Sequence, residues 1–206
     1  KHISKIFEDY MSKASEKTGP KVAYMCLEYG LHESIPIYSG GLGILAGDYL
    51  KEASDQNTDI VAFGLLYRYG YFQQGLTLQG EQVAQYVKQH FTMLPITPVK
   101  ISNGDRLILP LQLRGSVINA QVWRMDVGRV PLFLFDTDIP ENGDENKMIT
   151  HNLYGGNKEN RFRQELLLAS NTLLLLEKLQ IEPDLFHYNE GHTAFTGIMR
   201  IMKLVI

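Results

Sequence analysis

The spacing of apolar residues predicts an alternation of helices and strands along the chain. From residue 2 to residue 13, apolar side chains recur every three or four positions, which predicts an amphipathic helix. Residues 15–20 predict a turn, and the apolar residues of segment 21–28 predict the first strand. A second periodic stretch, from Leu42 to Ala53, predicts the next helix.

The link between this strand and this helix is rich in glycine, with Gly40, Gly41 and Gly43 at the predicted start of the helix. Glycines let a backbone turn sharply and bring its N–H groups close to a ligand. The first N–H groups of a helix are unpaired and lie at the positive end of its dipole, so an anion such as phosphate binds there readily. We therefore expect residues 40–44 to present free amides to a cleft. The alternative is a tight turn that binds nothing.

The middle of the chain changes from a buried strand to hairpins. Residues 59–67 form a nearly continuous apolar run, which is typical of a strand buried on both faces of a parallel sheet. Turn signals at 102–105 and 113–116, and alternation over 117–125, predict an antiparallel hairpin insertion within residues 71–130. Residues 131–135 then return to the sheet.

The last third of the chain predicts a long loop, a long helix and a second strand whose carboxyl end faces a candidate ligand site. Residues 141–160 are polar and predict a loop of about twenty residues, whereas 161–179 predict the longest helix. A short strand is predicted at 185–187, and residues 189–192 lie between it and the start of a final helix. Open α/β sheets bind ligands at the carboxyl ends of strands. Because the chain stops inside this helix and does not begin with Met, we expect it to be a fragment.

Composition narrows the class of protein. The 206 residues are 44% hydrophobic, enough for a sizeable core, and the net charge of −3 gives no electrostatic case for nucleic acid or an anionic membrane. No apolar run approaches the roughly 20 residues needed to span a bilayer. The single cysteine, Cys26, lies in the first predicted strand and predicts a buried, inert thiol. With no visible signal peptide, a cytoplasmic protein is expected.

Three other kinds of site fit the sequence less well. Residues 41–46 match the dinucleotide pattern G-x-G-x-x-A, but the next strand ends in Tyr67-Arg68-Tyr69, without the carboxylate that would hold a ribose. A Walker-type loop is excluded because no Lys-Ser/Thr follows the glycines. The spacing of His187, Glu190 and His192 matches no usual zinc ligand set, so no metal is expected.

The glycine-rich segment 38–51 resembles the glycine loop of the α-glucan phosphorylases, the family of glycogen, starch and maltodextrin phosphorylases. Four further segments resemble the same family in the same order, and the resemblance spans roughly residues 20–200. These segments are residues 27–33, 64–74, 153–165 and 187–195.

The resemblance implies the fold, the activity and the cofactor. It implies one α/β domain over residues 1–206, the N-terminal Rossmann-like half of a GT-B glycosyltransferase with a mostly parallel, doubly wound sheet. The parent enzyme would use inorganic phosphate to release α-glucose-1-phosphate from an α-1,4-glucan or maltodextrin, with retention of configuration. Its pyridoxal phosphate would be held by a lysine of a C-terminal domain that this chain lacks. The fragment alone would be inactive, and the parent would be a homo-oligomer.

The resemblance also implies roles for particular residues. The amides of Gly40, Gly41 and Leu42 would stabilise charge at the reacting centre, with Gly41 near the cofactor and substrate phosphates. The groups that would contact substrate follow in the order of the chain. They are Glu28, Ser39, Arg161, Glu190 and His192.

Other interpretations of these residues stay open. Glu28 is also compatible with a helix-dipole partner or with an ion pair, for example to Arg68 or Arg161, and His187 with a histidine bonded in or near the core. Arg161, together with neighbouring charges, is compatible with a salt-bridged helix surface. The short segment 154–157 resembles the bacterial and archaeal subgroup, so regulation by phosphorylation or AMP is not carried over.

Two other functions remain as alternatives. A glycogen or starch synthase would bind a nucleotide-sugar at a similar loop, but those enzymes typically have a lysine shortly before it, where this chain has Tyr38-Ser39. The other alternative is a catalytically silent carbohydrate-binding fragment.

Overall fold

A computed structural model describes residues 2–12 and 17–205, which form a mixed α/β fold. Seven strands make one sheet in the order β5-β7-β8-β2-β1-β9, with β6 paired to β7, and β3 and β4 form a separate hairpin. The strands have the following bounds: β1 Thr18–Met25, β2 Thr58–Leu65, β3 Gln73–Leu76, β4 Gln82–Gln85, β5 Thr97–Pro98, β6 Ile108–Leu113, β7 Ser116–Val127, β8 Val130–Asp136 and β9 Leu185–Tyr188.

Five helices accompany the strands in the described residues: α1 His2–Ser12, α2 Gly41–Asp55, α3 Asp144–Lys147, α4 Lys158–Lys178 and α5 Ala194–Val205. None of the helices in this part of the chain is long and apolar enough to cross a membrane. The predicted helices at the N-terminus, after the glycine loop and in the last third are confirmed, although Lys13 at the end of the first lies outside the described residues.

The parallel strands place two strand ends side by side. Strand β1 pairs in parallel with β2 on one side, Met25 opposite Phe63, and with β9 on the other, Met25 opposite Tyr188. The chain leaves β1 through α2 to reach β2 and later returns through α4 to β9 on the opposite side of β1. The connections therefore diverge at the carboxyl ends of β1 and β9. Such a switch point is where open α/β sheets bind ligands.

The antiparallel strands extend this sheet. Strand β7 pairs with β8 from Gln121 opposite Asp136 to Val127 opposite Val130, and it pairs with β6 on its other edge. The predicted combination of a mainly parallel sheet with antiparallel hairpins is thus confirmed. The hairpin region is split, because β6 and β7 join the main sheet whereas β3 and β4 stand apart from it.

Three predicted boundaries are wrong. Residues 18–20 belong to β1 and not to a turn, and residues 15 and 16 of that predicted turn lie outside the described part of the chain. Cys26 comes just after β1, although it is fully buried as expected, and burial raises the pKa of its thiol to about 11. Segment 141–160 is not one loop, since it contains α3 and a single 3-10 turn at Met148–Thr150. Helices this short carry no readable period.

The segment between β1 and α2 packs directly on the first turns of α2. The N–H of Gly30 donates to the carbonyl of Gly43 at 2.6 Å, and a Cβ on Gly47 would overlap the carbonyl oxygen of Gly30. At Gly40 and Gly41, in contrast, a Cβ would meet no atom within 4 Å. The glycines of one motif therefore have two roles, since Gly43 and Gly47 permit close packing and Gly40 and Gly41 leave open space.

The two roles predict opposite effects on stability. Gly47→Ala forces two backbone segments apart, and overpacking of this kind costs about 1–3 kcal/mol. Gly41→Ala, at the exposed first position of α2, meets no steric obstacle and replaces glycine with a better helix former, so stability should stay the same or rise slightly. Urea denaturation of both variants checks this difference. Equal stabilities of the two variants would contradict the close packing at Gly47.

Candidate functional site

The glycine loop ends in four backbone amides that no acceptor in residues 2–12 and 17–205 pairs with. Helix α2 begins at Gly41, and Gly40 at its N-cap supplies no side-chain hydrogen bond. The first internal bond of the helix is from the N–H of Ile44 to the carbonyl of Gly40, so the free amides end at Gly43 and the predicted range 40–44 is one residue too long. Among the described residues, no acceptor pairs with the N–H groups of residues 40–43. Four unpaired donors at the positive end of a 15-residue helix suit an anion.

The carboxylate of Glu28 lies beneath this loop. Glu28 is 1% exposed, and its Oε2 accepts the N–H of Ser39 at 2.8 Å. The same oxygen would lie 2.9 Å from a Cβ on Gly43, so the carboxylate touches the first turn of α2. A negative group beside a helix N-terminus is electrostatically favourable. Glu28 thus holds the residue directly before the glycines, from the buried side.

A second donor comes from far along the chain. The hydroxyl of Tyr154 donates to Oε1 of Glu28, and this environment raises the pKa of the tyrosine, first through burial and then through the hydrogen bond. Tyr154 has a positive φ of 57°, uncommon for a bulky residue. The guanidinium of Arg161 stands 5.1 Å from the centre of the Tyr154 ring, and its Nε donates to Glu165 at 2.8 Å. Its Nη1 is buried without a hydrogen-bond partner among the described residues.

Neither Arg68 nor Arg161, the two arginines considered as ion-pair partners of Glu28, forms an ion pair with it in the described residues. Arg68 pairs with Asp138 at 2.7 Å and approaches Asp136 at 3.5 Å. Arg68 follows β2, and Asp136 ends the neighbouring strand β8. Their side chains therefore meet where these two strands end. Burial raises the pKa of Asp136 to about 6. Arg161 makes its ion pair with Glu165, one turn along α4, as expected for a salt-bridged helix surface.

The end of β9 presents a strained acidic residue. Glu190 has φ 66° and ψ 174°, a region that is essentially restricted to glycine and that costs other residues about 1–3 kcal/mol. Its side chain is exposed, and its carbonyl accepts the hydroxyl of Thr193 at 2.9 Å. His187, earlier in β9, packs against Tyr24 with ring centres 4.8 Å apart, in agreement with a position in or near the core.

His192 links the two strand ends. It is 6% exposed, and its Nε2 accepts the backbone N–H of Leu27 at 3.0 Å. Burial, and secondly the charge of Arg161, lower its pKa to about 4. The ring is therefore neutral at pH 7. Because Nε2 is an acceptor, the proton sits on Nδ1, which has no acceptor among the described residues.

Glu28, Ser39, Arg161 and His192 thus form one connected group at the carboxyl ends of β1 and β9, next to the glycine loop. Glu190 adjoins it through the backbone, and its side chain makes no hydrogen bond or ion pair with the residues that the structure describes. Sequence reasoning missed Tyr154 as a partner of Glu28, since the two residues are 126 positions apart and no local pattern joins them. In the described residues, no group of three or more His, Cys, Asp or Glu could hold a metal ion.

Comparison with known proteins identifies the relatives of this chain. No protein-family model matches it. The chain is 46% identical over 191 residues to the glycogen phosphorylase of Mycobacterium tuberculosis and 41% identical over 180 residues to the maltodextrin phosphorylase of Thermococcus litoralis. It is 35% identical over 208 residues to the glycogen phosphorylase of Aquifex aeolicus.

The chain is homologous to a part of the glucan phosphorylases. The three alignments cover 87–100% of the chain but only 22–30% of the relatives. The chain thus spans about a quarter of the length of the glucan phosphorylases that it matches. The predicted resemblance is confirmed, with all the residues of the connected group inside the resembling segments.

The lowered pKa of His192 predicts a pH-dependent contribution to stability. The unfolded chain takes up this proton near pH 6.5 and the folded chain only near pH 4. The contribution of the neutral His192 ring to the free energy of unfolding is therefore fully present above pH 6.5. Roughly 3 kcal/mol of this contribution is lost as the pH falls to 4. Urea denaturation of the wild type and of His192→Gln should show a difference that shrinks over this range. Other titrating groups, including Asp136, cancel in the comparison, and a difference independent of pH would contradict the assignment.

Proposed function

We propose that the chain is the N-terminal part of an α-glucan phosphorylase and supplies one wall of its active site. The observation that carries the proposal is the set of four unpaired amides at residues 40–43, beside the switch point between β1 and β9. A phosphorylase must hold anionic phosphate next to a neutral glucan. This edge of the sheet combines backbone N–H groups that can bind an anion with side chains that can form hydrogen bonds to a neutral sugar. The proposed fold of the whole is the GT-B arrangement, with this chain as its first half.

The amides of Gly40, Gly41 and Leu42 are proposed to bind phosphate oxygens and to stabilise the charge that develops during phosphorolysis. Donors that are fixed before the reaction stabilise charge without having to reorganise. The bond from Ser39 N–H to Glu28 fixes the entrance of the loop, and the packing of Gly43 on Gly30 fixes its exit. The donors are held from both sides.

The residues of the loop also fit a cofactor phosphate. A Cβ at Gly40 or Gly41 would meet no atom within 4 Å, so a phosphate can approach these amides closely. Pyridoxal phosphate would supply a phosphate group for proton transfer with the substrate phosphate. Gly41 is the residue proposed to lie near it, and the lysine that carries the cofactor would belong to the rest of the enzyme. The isolated chain is therefore proposed to be inactive, because catalysis needs groups held on both walls of the cleft.

Glucan is proposed to lie against the other members of the group. His192, neutral and protonated on Nδ1, can donate to a sugar hydroxyl while Nε2 remains bonded to Leu27. The partly exposed guanidinium of Arg161 offers a second donor, and Glu190 an exposed acceptor. Glu28 and Ser39 complete the substrate-binding set. α-1,4-Glucan or maltodextrin and inorganic phosphate are the proposed substrates of a homo-oligomeric, cytoplasmic parent enzyme. The synthase and silent-fragment alternatives are not favoured by relatives named phosphorylase.

Substitution of Glu190 in the full-length phosphorylase tests this proposal. Loss of one hydrogen bond to a sugar hydroxyl costs about 0.5–1.5 kcal/mol, and more if a partner is left unpaired, so Glu190→Ala should lower kcat/KM for maltodextrin roughly 3- to 100-fold. Glu190→Gly should lower it similarly and at the same time raise the melting temperature, because glycine accepts φ 66° without strain.

The pair of variants separates function from folding. A Glu190→Gly enzyme that is more stable and retains normal kinetics would show that the carboxylate does not act on glucan. His192→Ala is a less discriminating variant, since it also leaves the buried N–H of Leu27 without its acceptor.

A further inference from the structure

The hairpin β3–β4 is the least buried part of the sheet structure. All eight residues of its two strands are exposed except Gly75, which is half-buried. The hairpin pairs with no strand of the main sheet. A two-stranded hairpin is only marginally stable by itself in water, so this one must gain stability from whatever lies against it.

Aromatic rings continue from the candidate site onto this hairpin. The ring of Tyr71 meets that of Tyr154 edge-on, with centres 6.5 Å apart, and Tyr154 donates to Glu28. Tyr71 then contacts Phe72 at 4.6 Å, and Phe72 contacts Tyr86 at 6.4 Å. Tyr71 is 37% exposed and Tyr86 50% exposed. The rings therefore form a continuous surface that leads outward from the site.

The polar residues beside these rings are mostly amides. Six of the eleven glutamines of the chain lie between residues 73 and 89. Gln73 and Gln89, with Glu33 and the rings of Tyr69 and Tyr71, line a cavity of about 220 Å³. An amide offers both donors and acceptors, which matches the alternating donor and acceptor character of sugar hydroxyls. Within residues 71–90, Glu81 and Lys88 are the only fixed charges, and they cancel.

We propose that Tyr71, Phe72 and Tyr86, with the adjoining glutamines, form an outer subsite for an α-glucan chain. An aromatic face carries partial negative charge and packs against the weakly positive C–H groups of a sugar ring. The absence of net charge in residues 71–90 disfavours nucleic acid or a charged peptide as the occupant. The proposal rests on the proposed function, because the surface begins at Tyr154, where the candidate site ends.

Binding of maltoheptaose to the 206-residue chain tests the outer subsite. Isothermal titration calorimetry should show that Tyr71→Ala and Tyr86→Ala each raise the Kd about 3- to 10-fold, as expected for loss of one aromatic contact. Tyr86→Phe keeps the ring and should bind as the wild type does. Phe7→Ala is the matched control, since Phe7 is 61% exposed on α1, which is anchored through Tyr10 to the far end of α2. Circular dichroism and melting temperature confirm folding of each variant.

Three results would overturn the outer subsite. They are absence of maltoheptaose binding by the wild type, unchanged binding by both alanine variants, and a change in oligomeric state on gel filtration in place of a change in binding. The last result would assign the surface to contacts between copies of the chain. Normal kinetics of the Glu190 variants together with Tyr71- and Tyr86-dependent binding would refute the proposed role of Glu190 and leave the outer subsite intact. Failure of the full-length parent to release glucose-1-phosphate from maltodextrin, with that binding retained, would refute the proposed function and not the outer subsite.

Discussion

The close packing of the segment after β1 on the start of α2 is the constraint on which the site depends. Gly30 and Gly43 bring the two backbones to hydrogen-bonding distance, and the absence of a side chain at Gly47 lets them stay there. This crossing places the carboxylate of Glu28 under the first turn of the helix and lets it hold Ser39. The amides of residues 40–43 are the first N–H groups of the helix, and no acceptor in the described part of the chain pairs with them, while the loop is held from its buried side. Their donors are left for a ligand.

The same segment couples the glycine loop to the end of β9. Leu27 donates to His192, and the adjacent Glu28 accepts from Ser39 and Tyr154. One short stretch therefore holds Ser39 at the entrance of the glycine loop, sets the tautomer of the histidine and binds the hydroxyl of Tyr154. A neutral histidine with a free Nδ1–H suits a neutral sugar, whereas the unpaired amides suit an anion. The two kinds of substrate of the proposed phosphorolysis would thus be matched by two kinds of donor at one edge of the sheet.

Sequence reasoning succeeded where the signal is local. A glycine run between an apolar strand and a periodic helix predicts a strand-to-helix turn with free amides, and residues 189–192 after a short strand predict a second strand end at the same edge. It failed where a contact joins distant parts of the chain. The hydrogen bond from Tyr154 to Glu28 spans 126 positions, and that from Leu27 to His192 spans 165. Nor does the sequence distinguish Gly47, which prevents a clash, from Gly41, which leaves open space, because both are simply glycines of one motif.

Titration of the isotopically labelled chain with inorganic phosphate, followed by amide NMR spectra, tests the central claim most directly. We expect the N–H resonances of Gly40, Gly41 and Leu42 to shift in a saturable manner, because these donors have no partner among residues 2–12 and 17–205 and lie at the positive end of α2. Gly41→Pro, which removes one of these donors at a position where proline is tolerated in a helix, should weaken the effect. Saturable shifts confined to exposed lysines and arginines, with the resonances of residues 40–42 unmoved, would contradict the claim that the glycine loop is an anion site.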